Sequence, residues 1–214
     1  PYTIDLSTAA GGISTGALSA TTGNIAVLAT GGAFTGTTVA ARTGLVATAG
    51  QGLTLTSYAV TAGGATLSAG APGLTLTSGT TTGNQTLTSV GSASLGNLTA
   101  SAGALSATST AGGLSFGALR ASGSIGLSAA STFTAGANAG YSLIGTSLSA
   151  ASVNAIGATG NVQIGTLSAP TAVVRATFGG LRITTITLLP RPASPASSTL
   201  VAGNTAQRFV PVGY

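Results

Sequence analysis

Asp5 is the chain's one carboxylate side chain, and Arg42, Arg120, Arg175, Arg182, Arg191 and Arg208 are its only cations; His, Cys, Lys, Glu and Met are absent. General acid–base catalysis needs groups that titrate near neutrality, and hydrolysis by paired carboxylates needs two of them. A serine nucleophile would find no His or Lys to activate it. Zinc sites and acidic calcium sites lack their ligands. What these residue types can do is pair charge and make hydrogen bonds. The expectation is a protein that is not an enzyme and holds no cofactor and no metal.

The formal net charge is +5, and four of the six arginines fall in the final 40 residues. Such a balance suits an anionic partner, such as nucleic acid, lipopolysaccharide or an acidic polysaccharide. Scattered cations also keep a neutral sheet surface soluble and discourage stray edge pairing. No basic run interleaves with aromatics, which favours the second reading and leaves nucleic acid off the expected partners. Asp5 either meets an arginine of an adjoining subunit or is a solvated strand residue.

The elements that must position these few groups are strands. Gly52-Leu53-Thr54-Leu55-Thr56-Ser57 returns unchanged 21 residues later as Gly73-Leu74-Thr75-Leu76-Thr77-Ser78. Its alternation puts leucines on one face and threonines on the other. A unit repeating near 20 residues is too small to bury its own apolar face, so the units must stack. Leu95-Gly96-Asn97-Leu98 matches Phe116-Gly117-Ala118-Leu119 at a spacing of 21, and Ile144-Gly145-Thr146 matches Ile164-Gly165-Thr166 at 20. An aliphatic column can be drawn through Val27, Val46, Leu67, Leu87, Leu105, Ile125, Ile144, Ile164 and Ile183. The fold class expected is all-β: a parallel β-helix, or β-solenoid, of about 20 residues per coil with three short strands per coil and three parallel sheets along its axis.

Composition agrees. Charged residues are 3% of the chain, hydrophobic ones 43%, and there are 34 glycines, a mixture far from ordinary globular usage. Disordered chains are poorer in aliphatics. Apolar runs are too short for the roughly 18 to 20 residues of a membrane helix, so membrane insertion is not expected. Without cysteine there is no disulfide framework, and stability must come from packing and backbone bonding. The start at Pro1, without an initiator Met or an apolar leader, reads as a processed product or a segment of a longer precursor.

Three regions are expected: an N-terminal strand and junction segment (1–10), the β-solenoid (11–189), and a Pro-rich linker with a docking C-terminal segment (190–214). Tyr2, Ile4 and Leu6 alternate against Thr3 and Asp5 as in a strand. Pro190, Pro192 and Pro195 end regular pairing. The stretch from Gln207 to Tyr214 is too apolar for a floppy tail, so it should dock. The triplet Thr-Gly-Asn ends at Asn24, Asn84 and Asn161. Either it is a ligand-facing turn, or its asparagine sits at a corner and satisfies turn backbone; the residue type favours the corner. The inner tyrosines, Tyr58 and Tyr141, are expected at corners or on the surface.

The Gly-Asn turns, Leu-Thr-Leu-Thr strands and near-20-residue interval over about residues 10 to 185 resemble the repeat regions of filamentous-haemagglutinin-like bacterial exoproteins. That resemblance implies a right-handed parallel β-helix exported by two-partner secretion, serving as an adhesin or a surface filament. Localisation would be extracellular or at the bacterial cell surface.

The expected function is a structural subunit of an extracellular bacterial fibre or biofilm matrix. A solenoid ends in unpaired strand edges that template further pairing, and head-to-tail addition does not close. The expected junction joins Tyr2, Ile4, Asp5 and Leu6 to Leu200, Val201, Arg208, Phe209, Val210, Val212 and Tyr214, with strand exchange between subunits. The partner is then another copy of the chain, with cell-surface or matrix polysaccharide as a further candidate. A cell-surface adhesin rod is the alternative. Ice binding is the third reading, because Thr54/Thr56, Thr75/Thr77 and Thr86/Thr88 resemble the paired threonines of ice-binding solenoids; here the pairs are expected to fade after Ser89.

Overall fold

The computed structural model of the chain describes residues 2–188, 197–203 and 205–209. It is all-β, with stacked coils about 20 residues apart forming a β-solenoid of about nine turns. The first sheet holds β1 (Ile4–Thr8), β3 (Asn24–Ala29), β5 (Gly44–Ala49), β7 (Gly64–Ala69), β9 (Gln85–Ser89), β11 (Leu105–Ser109), β13 (Ser124–Ala129), β15 (Ser152–Gly157), β17 (Thr171–Ala176), β19 (Ser197–Ala202) and β20 (Thr205–Phe209), in that spatial order. The second holds β2 (Ile13–Ala20), β4 (Phe34–Ala41), β6 (Leu53–Val60), β8 (Gly73–Thr81), β10 (Ser92–Ala100), β12 (Leu114–Ala121), β14 (Tyr141–Ser149), β16 (Asn161–Ser168) and β18 (Leu181–Thr187). All neighbours pair in parallel except β19 and β20, which form an antiparallel pair.

The three sides expected of each coil are carried by two hydrogen-bonded sheets, because the longer strand bends. In β6 the buried positions are Leu53 and Leu55, then Tyr58 and Val60, so the alternation slips by one residue at Thr56-Ser57. Pairing breaks there in every coil, by one position between Leu55↔Leu76 and Ser57↔Ser78 and between Ile164↔Ile183 and Thr166↔Thr185, and by two between Leu95↔Phe116 and Leu98↔Leu119. Following that gap through the stack gives Gly16, Thr37, Thr56, Thr77, Gly96, Gly117, Thr146, Gly165 and Thr184, all glycine or threonine. Side chains supply bonds where the ladder breaks. Asn97 Oδ1 accepts from the Ala118 N–H at 2.9 Å, and the Ser78 hydroxyl donates to the Thr56 carbonyl at 3.2 Å.

The quoted repeats stand in register: Leu53↔Leu74, Thr54↔Thr75 and Leu55↔Leu76 pair directly, as do Leu95↔Phe116 and Leu98↔Leu119. The aliphatic column drawn on the sequence survives in only three steps, Leu67↔Leu87, Leu105↔Ile125 and Ile164↔Ile183. The column through Val27 continues as Ala47, Leu67, Leu87, Ala107, Leu127, Ala155 and Val174. Val46 points outward and is half exposed, and Ile144, Ile164 and Ile183 belong to the other sheet. Gly145, not Ile144, pairs with Ile164, after a register shift between Tyr141 and Leu143. The interval from Ile125 to its partner Val153 is lengthened by the loop between β13 and β14. In that loop Phe133 and Tyr141 bond through backbone at 3.0 Å, and Phe133 fills the space that a side chain at Gly113 would need.

The core is one column of side chains inside the coils. Large groups in one turn lean into gaps in the next. Tyr58, against the expectation of a corner or surface site, is fully buried, and its ring lies where a Cβ on Gly79 would be. Gly145 makes the same room for Phe116. The Tyr58 hydroxyl donates to Gln85 Oε1 at 2.8 Å, and Gln85 Nε2 donates to the Thr99 carbonyl at 2.8 Å. A buried phenol and a buried amide thus satisfy each other, which removes the desolvation penalty either would suffer alone. Burial pushes the Tyr58 phenol well above its ordinary value of 10.0.

Corners are tight. A side chain at Gly50 or Gly70 would collide with the carbonyl oxygens of Thr30 and Gly50, so the chain can stack there only as glycine. Backbone bonds continue around these corners, from Thr30 N–H to the Thr8 carbonyl at 3.0 Å through Gly203 N–H to the Ala176 carbonyl at 2.8 Å.

Candidate functional site

The residues expected to form a junction lie at the two ends of the stack. At the N-terminal end, β1 and β2 are the outermost strands of their sheets. Ile4 and Leu6 turn towards the core and are half-buried, Asp5 is exposed between them, and Tyr2 is 85% exposed. Ile13 and Leu18 of β2 are also half-buried. Thr15 Oγ1 is a buried side-chain oxygen without a hydrogen-bond partner among the described residues.

At the other end the two sheets stop differently. β18 is the outermost strand of the second sheet, with Leu181, Ile183 and Ile186 half-buried beneath it. The first sheet goes on through β19, where Leu200 packs against the core and Val201 is buried, and is closed by the antiparallel β20. Arg208 and Phe209 belong to β20, facing Thr199 and Ser198 in register; Val210, Val212 and Tyr214 lie outside the described residues. The described junction residues therefore divide between the ends, with β19 nine layers and β20 ten layers from β1 along the first sheet. No ion pair joins Asp5 to an arginine among the described residues, and Arg42, Arg120, Arg175 and Arg182 are exposed.

The broad faces carry few charges, Arg120 and Arg182 on the second sheet and Asp5 and Arg175 on the parallel strands of the first among the described residues, and are otherwise patterned by hydroxyls. In the second sheet Ser14, Thr35, Thr54, Thr75, Ser94 and Ser115 form one outward column over six turns. Thr35/Thr37, Thr54/Thr56 and Thr75/Thr77 are paired in three successive turns of it. Thr86/Thr88 is not the next step of that array: it lies on the first sheet, in register with Thr66/Ser68 and Ser106/Thr108. The threonine pairs thus form two arrays on different faces, a division that spacing along the sequence could not show.

The Thr-Gly-Asn asparagines sit at corners and join one coil to the next. Asn24 Oδ1 accepts from the Thr43 hydroxyl at 2.8 Å, Asn84 Oδ1 from Ala104 N–H at 2.9 Å, and Asn161 Oδ1 from Gly180 N–H at 2.9 Å. Their oxygens are already occupied within the stack.

Hollows on the surface are shallow. A trough of about 550 Å³ on the first sheet runs beside Gly126, Asn154, Val173 and Thr199, and one of about 220 Å³ lies between Phe133 and the Thr54–Thr75–Ser94 column. Neither is lined by a titratable group. Sequence reasoning missed Tyr58, Gln85 and Phe133. Glycine at 79 and 113 is the trace they leave in the sequence, legible only once the register is known. Comparison with protein-family models, with curated proteins and with solved structures finds no match to this chain.

Proposed function

We propose that this protein is a structural subunit of an extracellular bacterial fibre or matrix, assembling head to tail through the ends of its solenoid. One observation carries the reading. The first and last strands of the second sheet, β2 and β18, present the same half-buried pattern at matching positions, Ile13, Thr15 and Leu18 at one end and Leu181, Ile183 and Ile186 at the other. Each end lacks a layer of the kind the other end could supply. A translation along the axis brings unlike edges together, and such a contact does not close on itself. The extracellular setting rests on the resemblance to filamentous-haemagglutinin-like repeats.

Electron microscopy of the purified chain over a range of concentrations tests this. Filaments with an axial repeat of about 40 Å, with layers about 4.8 Å apart, are the expected outcome. Dispersed short rods at every concentration would overturn it.

A second reading, an adhesin rod that contacts a cell surface or a polysaccharide through its flat faces, is favoured by the uncharged hydroxyl columns. Binding of the isolated monomer to cells or to insoluble polysaccharide, lost on replacing Thr54 and Thr75 by bulky charged residues, is its expected result. Thermal hysteresis in solution would instead single out the paired threonines as an ice-contacting array.

A further inference from the structure

Resting on the head-to-tail reading, we infer that the β19–β20 hairpin is a built-in plug: it occupies the seat that β1 of a second copy takes when the subunits join, so assembly requires its displacement. The first sheet holds ten parallel strands and then β20, whereas the second holds nine strands. A second copy advanced by nine layers sets its β2 against β18 and completes the second sheet. The same shift places its β1 where β19 lies and its β3 where β20 lies. Both cannot be present. Seating the second copy beyond β20 instead would leave two layers of the second sheet empty and the half-buried Leu181, Ile183 and Ile186 uncovered.

The register of the stack says what the exchanged strand would meet. The column of Ile25, which faces Ile4, leads to Ala172; that of Val27, which faces Leu6, leads to Val174, where Leu200 now sits. Leu6 of the second copy would replace Leu200 as an inward aliphatic. On the outer face, Ser7 of the second copy would stand opposite Arg175, in the place of Val201. Asp5 would stand opposite Val173, diagonal to Arg175 and within reach of its long side chain, at about 7 Å between Cβ atoms. The chain's only acidic side chain is thus at one end, and an exposed arginine waits at the matching place on the other. The exchange swaps one strand for another on β17, and β18 gains a partner it lacks.

The chain's lack of cysteine gives a clean test. Val173 and Thr199 face each other in register, at about 4.8 Å, inside the span a disulfide bridges. In the double variant Val173→Cys, Thr199→Cys, the oxidised protein should remain monomeric under conditions in which the reduced protein polymerises like the unaltered chain. Equal polymerisation of both forms would overturn the plug and leave head-to-tail assembly standing. Separately, a Ser7→Cys chain mixed with an Arg175→Cys chain should form disulfide-linked pairs of the two chains inside filaments. Filaments without that cross-link would place the junction elsewhere and overturn the inference. If the unaltered chain forms no end-to-end polymer, the reading on which the inference rests falls with it.

Discussion

Ile13, Leu53 and Leu181 stand in one column of the second sheet, at the first, third and ninth turns, yet only Leu53 is fully buried. Leu18, Tyr58 and Ile186 repeat the contrast. The same kind of residue at the same place on its strand is buried in the middle of the stack and half-buried at its ends. Burial here is a property of having a turn on both sides. A turn stabilises its neighbours and is stabilised by them, so the body has a finished middle and unfinished ends.

The largest test of that contrast is truncation of paired sites. Leu53→Ala should lower unfolding free energy by about 2–5 kcal/mol, and Ile13→Ala by about 1 kcal/mol, in denaturant titrations. Equal losses would break the distinction between middle and end. Next come the groups that interlock the middle. Gly79→Ala sets a methyl against the Tyr58 ring and should cost about 1–3 kcal/mol. Tyr58→Phe leaves the Gln85 oxygen unpaired in the core and should cost a similar amount, about 1–3 kcal/mol.

Tyr58 also sets the alkaline limit. Its pKa is raised in the folded state, so its contribution is fully present below about pH 10, where the phenol of the unfolded chain begins to ionise, and is lost as pH rises further. Thermal unfolding should therefore show Tm falling above about pH 10, and the Tyr58→Phe variant should lose less over that range. The smallest effect belongs to the corners. Asn84→Ala removes one coil-to-coil bond at Ala104 and should cost about 0.5–1.5 kcal/mol; Asn154→Ala, on the open sheet face, should stay within about 0.5 kcal/mol of the parent.

Local repetition made the architecture legible. Gly52–Ser57 and Gly73–Ser78 are identical because they are adjacent layers, and the Leu95 and Phe116 strings pair as their spacing implies. The corner asparagines were readable for a like reason: their bond partners lie 19 or 20 residues on, one coil away. Most of the aliphatic column was not readable, because inward positions of one column hold Leu, Ala or Val in different turns, as in Val27, Ala47, Leu67 and Ala107. A line through aliphatics alone therefore wanders between columns and even between sheets. The bend was hidden inside continuous strings such as Leu53–Val60, where only a slip in alternation betrays it. Of the candidate junction, the N-terminal half could be placed from Tyr2-Thr3-Ile4-Asp5-Leu6. The antiparallel return of β20 could not, since nothing in Thr205–Phe209 distinguishes its direction from that of any other strand.

Every ladder bond in both sheets runs along the axis of the stack, including those that continue around the corners. A tensile load applied at the two ends would thus fall on one layer's bonds at a time, and each layer that yields would pay out about 20 residues, roughly 70 Å of chain. Under load such a body lengthens in steps, as a ratchet strap slips, and stretching of single molecules should show a run of similar force peaks in place of one abrupt rupture.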